Sequence, residues 1–288
     1  MGKRTERMTD LLRGPRGDVD LGAIDTRATP GFSGAKEDAQ ALLPELGERL
    51  ATLQEQLYAN GRTGGRNSLL LVLQGMDTSG KGGTVEHVVG AVDPSGVRVV
   101  AFRRPTREEL AHDFLWRIRK PLPEPGMIAV FDRSHYEDVV AARVRKIVDR
   151  RTWSRRYAAI NRFEERLAAQ GTLVVKCFLH ISPEEQRERL LARLEDPTKH
   201  WKYRPGDLED RALWPDFQRA YGDAIGRCNT DAAPWYVVPA DRKWYRNWAI
   251  SRMLIERLEQ LGLGWPAATF DVEEQTALLS SEDPLARS

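Results

Sequence analysis

Gly75-Met76-Asp77-Thr78-Ser79-Gly80-Lys81 matches the pattern G-x-x-x-x-G-K. It follows a β-favouring apolar run at 68–74 and precedes a segment of helical character at 81–89. That context dictates much of the fold. A loop of this kind needs a buried strand to hold its start and a helix to finish it, so that glycines can turn backbone N–H groups toward an anion. Lys81 supplies the point charge. The phosphate-binding set expected at the loop is Gly75, Ser79, Gly80, Lys81, Gly82, Gly83 and Thr84.

The rest of the chain continues the same rhythm. Short apolar runs at 97–102, 127–131, 172–181 and 235–239 alternate with helical patterns. Runs without polar alternation mark strands buried on both faces, and strand-helix alternation marks a mainly parallel sheet. The expected fold is therefore α/β, a P-loop kinase-like three-layer sandwich with helices on both sides of the sheet and ligands at the carboxyl ends of its strands. Thr106 with Glu109, and Ser182-Pro183 with Glu185, are helix-start signals. Ahead of the loop, Leu42, Leu43, Leu46, Leu50, Leu53 and Leu57 predict an amphipathic helix over 35–58, ended by Asn60-Gly61. It packs within the monomer or across a dimer. Residues 1–36 read as an arm on the surface, 37–270 as the main domain and 271–288 as a tail.

Residues 196–214 break the alternation with Pro197, Lys199, His200, Trp201, Lys202, Tyr203 and Arg204, which reads as a mobile lid or a polar surface loop. The lid as a whole is expected over about 185–220. Arg187, Arg189 and Arg193 follow a helix start and are placed to reach over phosphates when it closes. Lys199 and Arg187 extend the expected phosphate-binding set. Trp201, Tyr203 and Trp214 stack on a base or anchor the lid by packing.

Two acids carry the metal reading. Gly82 stands where phosphate-loop enzymes usually place a Ser or Thr for Mg²⁺, whereas Asp77 lies inside the loop. A carboxylate there repels phosphate unless a cation lies between them. Asp132 ends the run Ile128-Ala129-Val130-Phe131, the position of a second metal-binding acid in such folds. The expected metal ligands are Asp77 and Asp132, with Mg²⁺ as the cofactor. Arg133 beside Asp132 has the planar fork that suits a phosphate. A turn residue at Asp77 and a helix cap at Asp132 are the plainer alternatives.

Composition narrows the partners. A net charge of +2 is too small for a generic binder of polyanions. The cluster Arg143, Arg145, Lys146, Arg150, Arg151, Arg155 and Arg156, with Arg103 and Arg104, is either a track for a charged chain or a solvated face. No apolar run approaches the roughly 20 residues of a membrane span. Lys3, Arg4, Glu6 and Arg7 precede no apolar segment, so no secretory signal is expected and the cytoplasm is the expected compartment. Cys177 and Cys228 fit core thiols in a reducing compartment. His87, His112, His135, His180 and His200 lack zinc-ligand spacing and read as structural.

Taken together, the segments resemble the polyphosphate kinase 2 family. The resemblance rests on the loop Gly75 to Thr84, on Phe131-Asp132-Arg133-Ser134-His135-Tyr136-Glu137-Asp138 and on His180-Ile181-Ser182-Pro183-Glu184-Glu185-Gln186. Asp196-Pro197-Thr198-Lys199-His200-Trp201-Lys202 and Ala233-Pro234-Trp235-Tyr236-Val237-Val238-Pro239-Ala240-Asp241 extend it. It implies reversible transfer of a terminal phosphoryl group between inorganic polyphosphate and nucleotides, from AMP and ADP to ADP and ATP, with Mg²⁺. GMP and GDP are left open as further acceptors. The wording of the motifs is closest to the subgroup using nucleoside mono- and diphosphates, although that subgroup carries Asp where this chain has Gly82. The resemblance implies Asp77, Lys81, Asp132, Arg133 and Arg193 as catalytic residues, Arg133 and Glu137 as nucleotide-binding residues, and a homo-oligomer. Neither nucleic acid nor a membrane is an expected partner. An ATP-dependent nucleotide or nucleoside kinase of the same fold, and a non-catalytic binder of polyphosphate or nucleic acid, remain open on sequence.

Overall fold

The fold is that of a computed structural model, which describes residues 6–281. Lys3 and Arg4 of the arm and residues 282–288 of the tail lie outside the described residues. Five strands form one parallel sheet: β1 (Ser68–Gln74), β2 (Val97–Ala101), β3 (Ile128–Asp132), β4 (Thr172–His180) and β5 (Trp235–Pro239), in the order β2-β3-β1-β4-β5. The helices of seven residues or more are α1 (Lys36–Arg62), α2 (Lys81–His87), α3 (Arg150–Ala169), α4 (Pro183–Glu195), α5 (Gly206–Ala212), α6 (Trp214–Cys228), α7 (Lys243–Glu259) and α8 (Val272–Ser281).

The period of two along β1 builds the layers. Leu69, Leu71 and Leu73 join one core with Leu50 and Leu57 of α1 and Met253 and Leu254 of α7. Leu70 and Val72 point the other way, into a core with Ile160 and Phe163 of α3 and Ile225 of α6. Each such side chain, fully buried, contributes about 1.5–3 kcal/mol. Because β1 lies between β3 and β4, its carboxyl end opens beside theirs. Leu73 pairs in register with Asp132 on one side and Cys177 on the other, so the chain leaving β1 meets the acidic end of β3.

Two local expectations are corrected. The first helix does not stop at Asn60-Gly61 but runs to Arg62. Gly61 is needed there for packing: a Cβ on it would fall 2.5 Å from Gly126 Cα. The second concerns β2, which is not buried on both faces. It is the outer strand, with Arg98 exposed and Val99 48% exposed.

The described part of the arm is ordered against the opposite edge. Val237 donates to Leu12 O at 2.9 Å and Gly14 donates to Trp235 O at 2.8 Å, covering β5 as edge strands require. Met8, Leu12 and Leu21 bury their side chains in the process. Helix α8 buries none of its residues. Cys177 and Cys228 are free and buried, in keeping with core thiols. Among the described residues no helix is long and apolar enough to cross a membrane.

Candidate active site

The loop between β1 and α2 holds a strained backbone. Gly75 and Gly80 take φ of 151° and 105°, and Thr78 takes 66°. A β-branched residue in the left-handed region costs about 1–3 kcal/mol and persists only when its surroundings enforce it. The enforcing groups come from α4: Arg189 Nη1 donates to Thr78 O at 2.8 Å, and Gln186 Nε2 donates to Asp77 O at 3.1 Å. Arg189 Nη2 also donates to Ala240 O and Asp241 O at 2.7 and 3.0 Å, tying the loop to the end of β5. Arg189 is thus a buried brace, not an arginine free to swing over phosphates.

Lys81 is buried, and its Nζ donates to Gly75 O and Met76 O at 2.9 and 3.2 Å. An ammonium has three N–H groups, so one remains for a further acceptor. Burial and the nearby Arg133 push the Lys81 ammonium below its ordinary range, against the opposing pull of Asp132, Asp77 and Glu137. The Thr78 and Ser79 hydroxyls are buried with no hydrogen-bond partner among the described residues, whereas Thr84 Oγ1 is spent on Gly80 O at 3.2 Å. A Cβ at Gly82 would meet nothing within 4 Å, so packing does not demand glycine there.

Arg133 follows β3 with φ 64°, and its backbone N–H reaches Leu73 O at 3.0 Å. This turn aims its guanidinium at the loop, where Nη2 donates to Asp77 Oδ1 at 2.8 Å. Burial alone would raise the Asp77 pKa. Lys81, Arg133 and Arg193 outweigh it and hold the carboxyl below its ordinary range. The charge of Asp77 is therefore answered by Lys81 and by Arg133, which also hydrogen-bonds it. Glu137 behaves oppositely: burial raises it more than Arg133 and Lys81 lower it. With its amide turned to satisfy its neighbours, Gln74 donates to Glu137 Oε1 at 3.1 Å.

These groups line a cleft bounded by Gly75, Met76, Asp77, Arg133, Glu137, Ala141, Arg145, Asp210, Phe217 and Tyr221. Tyr221 hydroxyl donates to Gly75 O at 3.3 Å. Across the opening, Arg145 Nη2 donates to Asp210 Oδ1 of α5 at 2.6 Å. Beneath the floor, Lys176 Nζ donates to Glu164 Oε2 at 2.6 Å, Tyr136 OH at 2.8 Å and Cys228 O at 2.7 Å, all fully buried. His135 Nε2 lies 3.1 Å from Glu164 Oε1, so this histidine holds the 134–138 segment in place.

The structure brings together Asp77, Lys81, Arg133 and Glu137, with Asp132 at the end of β3 beside them. Arg193 donates to Lys202 O at 3.0 Å and lies close enough to Asp77 to lower its pKa. Two expected phosphate-binding residues are exposed to solvent. Arg187 is exposed on α4, and Lys199 is paired with Asp196 at 2.6 Å. The outer parts of the expected lid are anchored, since α4 buries Gln186 and Arg189 and α6 buries Phe217 and Tyr221. Trp214 packs against the core and Trp201 is 76% exposed. Three members of the basic cluster are paired with carboxylates, Arg143 with Asp223, Arg145 with Asp210, and Arg156 with Asp138 at 3.1 Å, while Arg103, Arg104, Lys146, Arg150, Arg151 and Arg155 are exposed.

No group of three or more His, Cys, Asp or Glu converges among the described residues. Mg²⁺ does not need one, because it usually takes one or two carboxylates together with water and substrate phosphates. Asp77 and Asp132 offer carboxylates in that number.

The sequence pattern described as Polyphosphate kinase 2 (PPK2) matches residues 33–262. The chain belongs to the polyphosphate kinase 2 family. Over 252 residues it is 48% identical to the AMP/ADP-polyphosphate phosphotransferase of Meiothermus ruber, covering 88% of this chain and 93% of that one. The ADP-polyphosphate phosphotransferase of Rhodopseudomonas palustris is 40% identical over 87% of this chain and 89% of its own length. The crystal structure of polyphosphate kinase 2 from Arthrobacter aurescens TC1 superposes with a TM-score of 0.94 at 51% identity, covering 96% of this chain and 98% of that one. In this polyphosphate kinase 2 chain the sheet, the loop and the acidic end of β3 thus belong to a shared P-loop kinase-like α/β fold. Tyr221 and the Arg145–Asp210 pairing had no motif of their own, and Gln186, although part of a motif, carried no assigned role. Only an arginine placed two turns into an amphipathic helix, at 189, hinted at burial.

Proposed function

We propose that the protein transfers terminal phosphoryl groups between inorganic polyphosphate and nucleoside mono- and diphosphates, running reversibly from AMP and ADP to ADP and ATP. The observation that carries this reading is the Lys81–Asp77–Arg133 arrangement, where a phosphate loop faces a polar cleft. Phosphoryl transfer needs alignment and charge neutralisation more than covalent help. In this reading the loop backbone, Lys81, and the Thr78 and Ser79 hydroxyls hold the donor phosphates. The acceptor lies in the cleft between Arg133, Glu137 and Tyr221, its phosphate turned toward Lys81. An acceptor phosphate with a second pKa of about 6 is already mostly dianionic at neutral pH. Neither Asp77 nor Asp132 has to remove a proton. Both would hold Mg²⁺, which offsets the charge on the transferring group.

Arg133 has two tasks. Its planar fork keeps Asp77 charged and offers its remaining N–H groups to the acceptor phosphate. Residues 196–213, with Arg193 at their base, form a lid that excludes water during transfer, and Arg187 and Lys199 lie along its outer path to the donor chain. The same reading has a cytoplasmic homo-oligomer as the working form, without nucleic acid or membrane as partner. The test is a panel of AMP, ADP, GMP and GDP, each with polyphosphate and Mg²⁺, with products resolved by ion-exchange chromatography. Phosphorylation of both AMP and ADP is expected. Turnover of neither, alongside ATP-driven phosphorylation of a nucleoside, would replace this reading with that of an ordinary kinase.

A further inference from the structure

Arg246 lies in α7 with only 2% of its surface exposed. Three arginines in the described chain are buried to this degree or nearly so: Arg117, Arg189 and Arg246. Arg117 has carboxylates of Glu109 and Asp138 at 3.7 and 3.8 Å, and Arg189 has Glu185 at 2.7 Å. No carboxylate among the described residues lies within 4 Å of Arg246. Its hydrogen bonds are to one neutral acceptor, Asn247 Oδ1, from Nε at 3.1 Å and Nη2 at 2.8 Å. Nη1 makes none.

An unanswered charge in the interior is costly, so a buried cation calls for a counter-charge nearby. The guanidinium lies directly behind the phosphate loop. A Cβ on Gly80 would fall 1.7 Å from Nη1, and one on Gly83 would fall 3.0 Å from Nη2. No side chain separates the cation from the loop backbone. Gly80 and Gly83 therefore have a second task besides conformation: they admit Arg246. Burial leaves its field little screened, and the phosphate loop itself begins at the two glycines that the guanidinium touches.

We propose that Arg246 is a further donor-binding residue, a buried cation whose counter-charge is the phosphoryl chain held in the Gly75–Lys81 loop. It acts through the loop wall and is a positioning residue, since it touches no reacting atom. Burial and the neighbouring Arg189 push its pKa down to about 10, the behaviour of a cation lacking an anion. Its field selects highly charged donors over neutral groups of the same shape, and it leaves the acceptor cleft untouched. The inference rests on the reading that the loop takes the polyphosphate donor.

The experiment measures binding of tripolyphosphate and, separately, of ADP by titration calorimetry to the full chain and to Arg246→Met and Arg246→Lys, with thermal melts to confirm folding. In wild type, tripolyphosphate binding is expected. Its absence would overturn the donor reading itself. Arg246→Met is expected to weaken tripolyphosphate at least tenfold while ADP changes less than twofold, and Arg246→Lys is expected to recover most of the loss. Unchanged tripolyphosphate affinity in folded Arg246→Met, or equal weakening of both ligands, overturns the role of Arg246. Should the Met variant not fold, exchange of the Arg246 guanidinium protons in the unaltered protein decides, assigned by difference from Arg246→Lys: slowed by tripolyphosphate if the role is right, unaffected if it is wrong.

Discussion

Arg133 Nη2 donates to Asp77 Oδ1 at 2.8 Å, so the acid inside the phosphate loop and the cation at the end of β3 neutralise each other across the cleft. The pair explains how a carboxylate is tolerated in a phosphate cradle. Arg133→Lys keeps the charge but loses the planar fork. We expect kcat/KM for ADP to fall roughly 100-fold, the scale seen when one charge-directed donor is removed. Initial rates of ATP formation check this, and rates within twofold of wild type would show that the fork is not used.

Asp132 ends β3 in register with Leu73, one residue before the loop's strand finishes. Asp132→Asn preserves volume while weakening a carboxylate's hold on a cation, so activity should drop by about two orders of magnitude. The Mg²⁺ concentration for half-maximal rate should rise in step. A variant with normal Mg²⁺ dependence would remove Asp132 from the metal set.

Glu137 offers a pH test. Burial raises its pKa above the ordinary 4.5, despite Arg133 and Lys81. The folded protein therefore holds this proton more tightly than the unfolded chain, and stability falls as pH rises from 4.5 through the raised folded value. Glutamine has no proton to lose. Glu137→Gln should melt close to wild type below pH 4.5 and higher than wild type at pH 8, by about 2–4 °C for each kcal/mol involved. A difference independent of pH would mean that Glu137 is not the group responsible.

Beneath the cleft, Lys176 and Glu164 form a fully buried ion pair at 2.6 Å. Removing one member strands the other. Lys176→Met should cost about 3–5 kcal/mol, and Lys176→Met with Glu164→Leu should recover much of that. Urea denaturation of the set tests this; equal losses in the single and double variants would show that the stranded charge is not the cause.

The local parts of this site were legible because their causes are local. The loop's glycines, the apolar runs of β1 and β3 and the acid ending β3 lie within a few residues of one another, and spacing alone places them. The helix ran past Asn60-Gly61 because Gly61 answers to Gly126, 65 positions away in sequence. Arg189 was expected to reach over phosphates and Arg246 carried no signal in the sequence, because only the fold sets both against the loop. Within the basic cluster, the pairing of Arg143, Arg145 and Arg156 with Asp223, Asp210 and Asp138 was not legible, because those acids arrive from other elements. Exposure of β2 followed from its place at the sheet edge, which its own residues do not encode.

On the proposed function, Lys81 in this loop assists transfer of a phosphoryl group from polyphosphate to a nucleotide. The most direct measurement is ATP formation from ADP and polyphosphate with Mg²⁺, by wild type and by folded Lys81→Ala. Rapid ATP formation in wild type and a loss of at least about 100-fold in the variant are predicted. ATP formed equally well by Lys81→Ala, or no ATP from the wild-type protein, would contradict it.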